Sequence, residues 1–306
     1  MTLYLTRRLA QAVVTMFLVL VFTFVLSRLA GDPTALLLPS TATASDIAAF
    51  RASLGLDQPI AVQFVRFLVS VAHLDFGTSL QTSTPAMGII LNRLPATLRL
   101  AGLSLLVSLI LAMALGIVSE LSQAKWIRST ILGLSLLRDA TPTFVFGLLA
   151  IYFLGVKFHL LPFIGDASPA AYVLPVLTLS TVTLAIYVRL LRSSFADDLS
   201  RDYVRTAIAK GSSRWHLITR EVLPNILPPF VTVVALNFGA LIVGGVLVET
   251  VFSWPGVAYT IVTAVSERDF PVIQAGITVV ALIFVIVNFA ADLINLKLDP
   301  RIQVQR

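Results

Sequence analysis

Apolar residues come in long, almost charge-free runs, not in the short stripes of a water-soluble domain. A helix needs about 20 mostly apolar residues to cross a hydrocarbon core of ~30 Å. Its backbone polar groups find no water there and must bond within the helix. Six stretches meet this requirement: 9–29, 98–121, 129–156, 172–191, 226–248 and 271–294. The first carries Arg28 near its end. The second carries Arg99 and Glu120 at its two ends. The third is interrupted by Arg138, Asp139 and Pro142. Six crossings put both termini on one side. Arg7 and Arg8 before an apolar run would also suit a secretory signal. The run is too long for one, however, and no small-residue cleavage site follows it. Gly31-Asp32-Pro33 reads as a helix exit, so the first run is expected to stay as an anchor.

Composition narrows the chemistry. Of 306 residues, 57% are hydrophobic and 12% charged, about half the ~25% charge of a soluble domain. There is no cysteine, which excludes disulfides, thiolate metal sites and cysteine nucleophiles. His73, His159 and His216 are scattered, so no metal site is expected. The net charge of +6 could serve nucleic acid, but the basic residues sort by loop. Arg7, Arg8, Lys125, Arg128, the cluster from Arg189 to Arg220, Lys297, Arg301 and Arg306 fall on one side of a six-span layout. Arg51, Arg66, Arg93, Lys157 and Arg268 fall on the other. Lys and Arg mark the cytoplasmic side, so both termini are expected in the cytoplasm. The partner read from the charge is membrane lipid, not nucleic acid.

Two segments lie outside the runs. Residues 31–95 are too long for a tight connection. Thr43 to Asp46 precede a helical stretch that Gly55 can end, and apolar residues between Pro59 and His73 recur at helical spacing. This segment is expected to be an extracytoplasmic helical lobe, either a structural cap or a docking surface. Residues 193–224 read as a helix–Gly–helix hairpin. Ser200 would cap a helix through Lys210, Gly211 would close it, and Ser213 would cap a second helix ending before Pro224. The hairpin's exposed side would mix Tyr203, Ala207, Ile208 and Trp215 with basic groups. Such a hairpin suits either an anionic membrane surface or a tight socket in another protein, with Ala207 and Gly211 allowing close approach.

Asp202-Tyr-Val-Arg-Thr-Ala-Ile-Ala-Lys-Gly211, followed by Leu223-Pro224, resembles the cytoplasmic "EAA" loop of ABC importer permeases. Arg205, Thr206 and Ala207 stand at the E-A-A positions, and Glu221 stands where that pattern has Ile. The Asp-Tyr-Val-Arg-Thr-Ala form is typical of the dipeptide/oligopeptide/nickel subfamily. Leu54–Pro59, Asp75–Leu80, Arg93–Leu98, Pro142–Phe144, Leu174–Leu179, Arg192–Ser194, Glu249–Gly256, Arg268–Pro271 and Asp299–Arg301 are similar to that subfamily, as is Gly31–Pro33. The large segment after the first span resembles its B-type subunit.

The resemblance implies an all-α integral membrane protein with the type I ABC importer permease fold. Residues 1–30 would hold the N-terminal segment and first span, 31–95 the external lobe, and 96–306 the permease core. The implied partners are a second permease subunit, two ATP-binding-cassette ATPases and an extracytoplasmic solute-binding protein. The chain would be no enzyme and would carry no cofactor. ATP and Mg would be bound by the ATPases, in keeping with the lack of a G-x-x-x-x-G-K-[ST] loop here. Tyr203, Arg205, Thr206, Ala207, Gly211, Leu223 and Pro224 would couple to the ATPases. The solute would be a di- or oligopeptide or a related small molecule.

Charge at bilayer depth is costly and marks pathways by default. Glu249, Arg138 and Asp139 are therefore candidates for the substrate path, although Arg138 could instead snorkel from a surface helix. Asn237 and Asn288 suit bonds between helices. Ala112-x-x-x-Gly116 and Ala240-x-x-x-Gly244 suit close helix packing, and Trp126, Trp215 and Trp254 suit an interfacial aromatic belt. A secondary transporter would be the rival function. It would usually need midplane ionisable groups or inverted repeats; such charges are few here and no internal repeat is convincing. An intramembrane enzyme lacks H-E-x-x-H and G-x-S-x-G motifs.

Overall fold

The computed structural model describes residues 2–29, 43–53, 55–122 and 124–298. The Gly31–Pro33 and Asp299–Arg301 motifs and the Ala240 side chain lie outside the described residues. Among the described residues the structure is helical, without a β-strand. The helices are α1 (Thr2–Leu29), α2 (Ala44–Ser53), α3 (Ile60–Ala72), α4 (Ala86–Leu121), α5 (Lys125–Ala140), α6 (Thr143–Ala150), α7 (Val173–Leu199), α8 (Asp202–Ala209), α9 (Arg214–His216), α10 (Leu223–Val251), α11 (Val257–Ser266) and α12 (Phe270–Leu298). Five helical stretches are long and apolar enough to cross a membrane. A sixth crossing exists if α5 and α6, with its π-helical extension Ile151–Lys157, form one span bent by 105°.

The bend arises where the third apolar run is interrupted. Pro142 is the N-cap of α6 and has extended backbone (ψ 142°), so the chain turns rather than continuing as a helix. Arg138 holds the corner. Its guanidinium donates to the Thr141 carbonyl (2.8 Å), Thr143 Oγ1 (3.2 Å) and Thr181 Oγ1 on α7 (2.6 Å). It also lies 5.5 Å from the Phe146 ring centre.

The chain forms two compact units, 1–95 with 256–285, and 96–255 with 286–306. The second is built around α7, which is 61% buried over its apolar window, against 17–28% for the other long helices. Small residues set its packing distances, as expected for one of the two pairs. A Cβ on Gly116 of α4 would meet Leu191 of α7 at 3.3 Å, and Ala112 is fully buried. Gly147 of α6 sits equally close to Thr178 and Phe252. A Cβ on Gly244, by contrast, meets nothing within 4 Å. One apolar cluster joins Tyr187, Leu191 and Phe195 to Val204, Ile218, Val222 and Phe230. Another joins Leu100, Leu174, Leu179 and Leu241 to Phe252 and Trp254.

In the first unit, Phe76, Ile90, Val257, Val272 and Ala275 form the core. Ser79 Oγ donates to the buried Asp269 carboxylate, and Gln81 donates to the Glu267 carbonyl (3.2 Å). Both ties hold the loop before α4 against the turn between α11 and α12. Thr43 and Asp46 cap α2 reciprocally: Thr43 N–H donates to the Asp46 carboxylate (2.9 Å), and Asp46 N–H donates to Thr43 Oγ1 (3.3 Å). These bonds, through Thr43's hydroxyl first, hold the Asp46 carboxyl below its ordinary range. Gly55 then turns the chain with φ +66°.

Several sequence expectations are corrected. Ser200 does not open the hairpin; it closes α7, its hydroxyl donating to the Asp197 carbonyl (2.7 Å). No break precedes the fifth span. Arg214–His216 passes through a π-helical turn (Leu217–Val222) directly into α10, with Pro224 just after the junction. Trp254 is no belt residue, because it is fully buried. Asn237 bonds its own helix, donating to the Val233 carbonyl (2.8 Å).

Candidate functional site

The hairpin at residues 201–222 is built onto the ends of the two most extensively packed helices. α7 closes at Ser200. Arg201, in extended backbone (ψ 156°), then starts α8. Val204 and Ala207, three residues apart, share one face of α8 and are buried in the cluster beneath. At the far end Gly211 adopts φ +82°. Its N–H donates to the Ile208 carbonyl (2.9 Å), and Ser212 N–H donates to the Ala207 carbonyl (3.1 Å), closing the helix with a left-handed residue. Ser213 caps the second arm as its side chain accepts from His216 N–H (3.3 Å).

Ala207 thus works in the opposite direction from the one expected. It is 8% exposed and lets α8 lie close on its own chain, not in a socket elsewhere. Tyr203 is half-buried. Its hydroxyl donates to the buried Asp198 carboxylate, which also pairs with Arg201 (2.8 Å). Burial, followed by that carboxylate neighbour, pushes the phenol above its ordinary pKa. Leu223 packs partly against the same cluster, whereas Pro224 is exposed. Arg205, Thr206, Ile208, Lys210, Gly211 and Trp215 remain outside. The outward surface is therefore basic, with two large apolar residues, Ile208 and Trp215.

Sequence reading missed the anchor of this hairpin. Arg214 donates twice to the Glu120 carbonyl, from Nε at 3.0 Å and from Nη2 at 2.7 Å. Arg128 Nε donates to the Ser119 carbonyl (2.9 Å), and its Nη2 lies 3.5 Å from the Glu120 carboxylate. The last carbonyls of a helix have no partner within it and carry its negative dipole end. Two guanidinium groups answer both needs at the end of α4. The first of these contacts joins residues 94 apart, so no local pattern announces it.

The path candidates sit elsewhere and are not brought together. Glu249, near the end of α10, is 1% exposed and accepts from Thr97 Oγ1 (2.7 Å). Beside it Trp254 donates its indole N–H to the Ala96 carbonyl (3.1 Å) and meets the Tyr172 ring edge-on at 4.6 Å. Glu249 is closed over by its own chain and lines no open surface in this conformation. Arg138 holds the helix bend. Asp139 forms a half-exposed ion pair with Arg189 of α7.

Apolar crossing helices around a buried α7, with a basic hairpin tied to three of them, define an integral membrane protein. The comparisons with known proteins give the family. Residues 96–304 match the family described as the binding-protein-dependent transport system inner membrane component, and residues 1–101 match the N-terminal part of such membrane components. The chain is 37% identical to the glutathione transport system permease protein GsiC of Escherichia coli K12 over 302 residues, 98% of each chain. It is 36% identical over 301 residues to GsiC of Salmonella typhimurium LT2, again 98% of each. A probable peptide ABC transporter permease protein, y4tP of Sinorhizobium fredii, is 34% identical over 312 residues, covering 99% of this chain and all of the relative. The chain belongs to this family of inner-membrane transport components and is a permease subunit of an ABC importer.

Proposed function

We propose that the chain is the B-type member of a pair of permease subunits that import short peptides, glutathione among them, across the bacterial inner membrane. The full-length similarity to glutathione and peptide permeases carries this reading. Two partner ATPases bind ATP and Mg and hydrolyse the nucleotide. A solute-binding protein delivers the cargo on the opposite side, and this chain needs no cofactor. Both termini and the hairpin face the cytoplasm, in line with the basic residues gathered there.

The hairpin receives the ATPase. Ile208 and Trp215 supply apolar anchors, and Arg205 and Lys210 supply charge around them. Motion enters through stiff connections: α8 follows α7 at once, and the second arm is continuous with α10. Arg214 passes the same motion to the end of α4. The buried Glu249 holds α10 to α4 at Thr97, which keeps these helices moving as one.

Proteoliposomes holding both permeases, both ATPases and the binding protein test the reading. Labelled glutathione or dipeptide enters only with ATP, and unlabelled short peptides compete. Uptake that runs on a proton gradient without ATP would overturn it in favour of a secondary transporter. Arg214 supplies a sharper check. A hydrogen bond to a charged group contributes ~1.5–3 kcal/mol, so Arg214→Ala should lower uptake about tenfold or more. ATPase co-purification should persist, because the docking residues are untouched. Arg214→Lys, which keeps the charge but not the fork, should recover part of the loss. Unchanged uptake in Arg214→Ala would remove Arg214 from the transmission route.

A further inference from the structure

The lobe after α1 contains a helix whose position is not that of a water-facing cap. α3 lies against α1 through aromatic rings. Phe64 meets Phe17 with ring centres 6.2 Å apart and Phe24 at 5.1 Å, and Phe67 meets Phe24 at 5.6 Å. These contacts fix the depth of α3. The apolar stretch of α1 runs over Thr6–Leu29, 24 residues, or ~36 Å at 1.5 Å per residue. Phe24 then stands ~8 Å and Phe17 ~18 Å from the Leu29 end. A hydrocarbon core of ~30 Å leaves only ~6 Å of excess. Even with all of that excess placed beyond Leu29, both rings remain within the hydrocarbon. Phe64 sits between them.

The surface of α3 agrees with that depth. Its Phe side faces α1. On another side Val62, Val65 and Val69, spaced three and four apart, form a second apolar stripe, with Val65 57% and Val69 54% exposed. A helix floating on a lobe in water would not hold two apolar sides. The stripe continues the exposed apolar surface of α1, where Phe17, Leu18 and Phe22 are similarly open. One polar group of α3, Gln63, turns inward. Gln63 Nε2 donates to the carbonyls of Gln58 (2.7 Å) and Leu56 (3.2 Å). Polar groups in hydrocarbon need such partners within the protein. Arg66 stays exposed, its guanidinium reaching over Gly55, where an added Cβ would stand 2.5 Å from Nη1, and a side chain of that length can carry its charge to the interface.

We propose that α3 is immersed in the acyl-chain region of the leaflet holding the C-terminal half of α1, with Val62, Val65 and Val69 against lipid tails. The segment after the first span thus dips back into the membrane beside it and fastens the lobe to the bilayer.

The chain has no cysteine, so single cysteines carrying a nitroxide label report position directly. The intact transporter in nanodiscs is labelled at residue 65 or 69, with Leu18→Cys on α1 as the lipid reference and Asp57→Cys as the aqueous one. In Val65→Cys and Val69→Cys, collisions with oxygen should exceed those with a water-soluble nickel chelate, in a ratio within about threefold of that at residue 18. Residue 57 should show the reverse. Nickel accessibility at 65 and 69 equal to that at 57 would place α3 in water and overturn the proposal. Shielding from both reagents would overturn it too, by showing a second subunit on that face. Should either substitution prevent assembly, Val62→Cys reads the same stripe.

Discussion

Gly211→Trp abolishes ATP-driven uptake while the permease still inserts and pairs with its second permease subunit. Two effects combine. The backbone at Gly211 is left-handed, φ +82°, and a residue with a Cβ pays ~1–2 kcal/mol to stay there. The space around it is open: a Cβ at Gly211 meets no atom of this chain within 4 Å. The indole therefore projects from the outward surface of the hairpin, where the ATPase is proposed to seat. Gly211→Ala separates the two effects. It carries the backbone strain alone and should retain uptake within about tenfold of the parent. Gly211→Trp should lose ~100-fold or more, the consequence of removing ~3 kcal/mol from docking. Uptake in proteoliposomes gives the loss, and co-purification of the ATPase shows where it arises. Full uptake by the tryptophan variant would exclude the hairpin as the docking element.

Trp254→Ala lowers the thermal midpoint of the detergent-solubilised permease by about 10 °C. The indole is fully buried in the cluster with Leu174, Val248 and Phe252, and truncating such a side chain costs ~3–5 kcal/mol. In a chain this large each kcal/mol moves the midpoint by ~2–4 °C. Trp254→Phe separates volume from hydrogen bond. It keeps most of the ring and loses only the bond to the Ala96 carbonyl, ~1 kcal/mol, so its midpoint should fall by only a few degrees. Fluorescence-detected gel filtration after heating reads both. An unchanged midpoint in Trp254→Ala would show that the end of α10 is not held through this residue. Because the same junction contains Glu249 and Thr97, Trp254→Ala should also reduce uptake, whereas Gly211→Trp, with only its ~1–2 kcal/mol of backbone strain, should lower the midpoint by a few degrees at most.

Much of this site was legible in the residues themselves. Gly211 was readable because only glycine enters a left-handed turn freely, and Ser213 because a hydroxyl before a helix has a donor to accept from. The bend at Pro142 was readable for the same local reason. Ser200 misled because its side chain can serve either end of a helix. Whether it opens α8 or closes α7 depends on where Arg201 becomes extended. Ala207 misled because a small residue on a basic helix gives no sign of which side the core lies on. Glu249 and Trp254 looked like path and belt residues because polarity in an apolar stretch suggests exposure to something polar. Each instead found its partner on α4, more than 150 residues earlier in the chain.

The sequence alone determined the membrane-crossing runs, their broken third member and the helix–Gly–helix hairpin. Those features depend on hydrophobic length, proline and glycine, all of which act within a few residues. Only the tertiary structure decided that Arg214 clamps the end of α4, that Glu249 is closed off, and that α3 lies along α1. Those outcomes depend on which orphan carbonyl, hydroxyl or ring comes within reach once distant helices pack, and no periodicity along the chain encodes that distance.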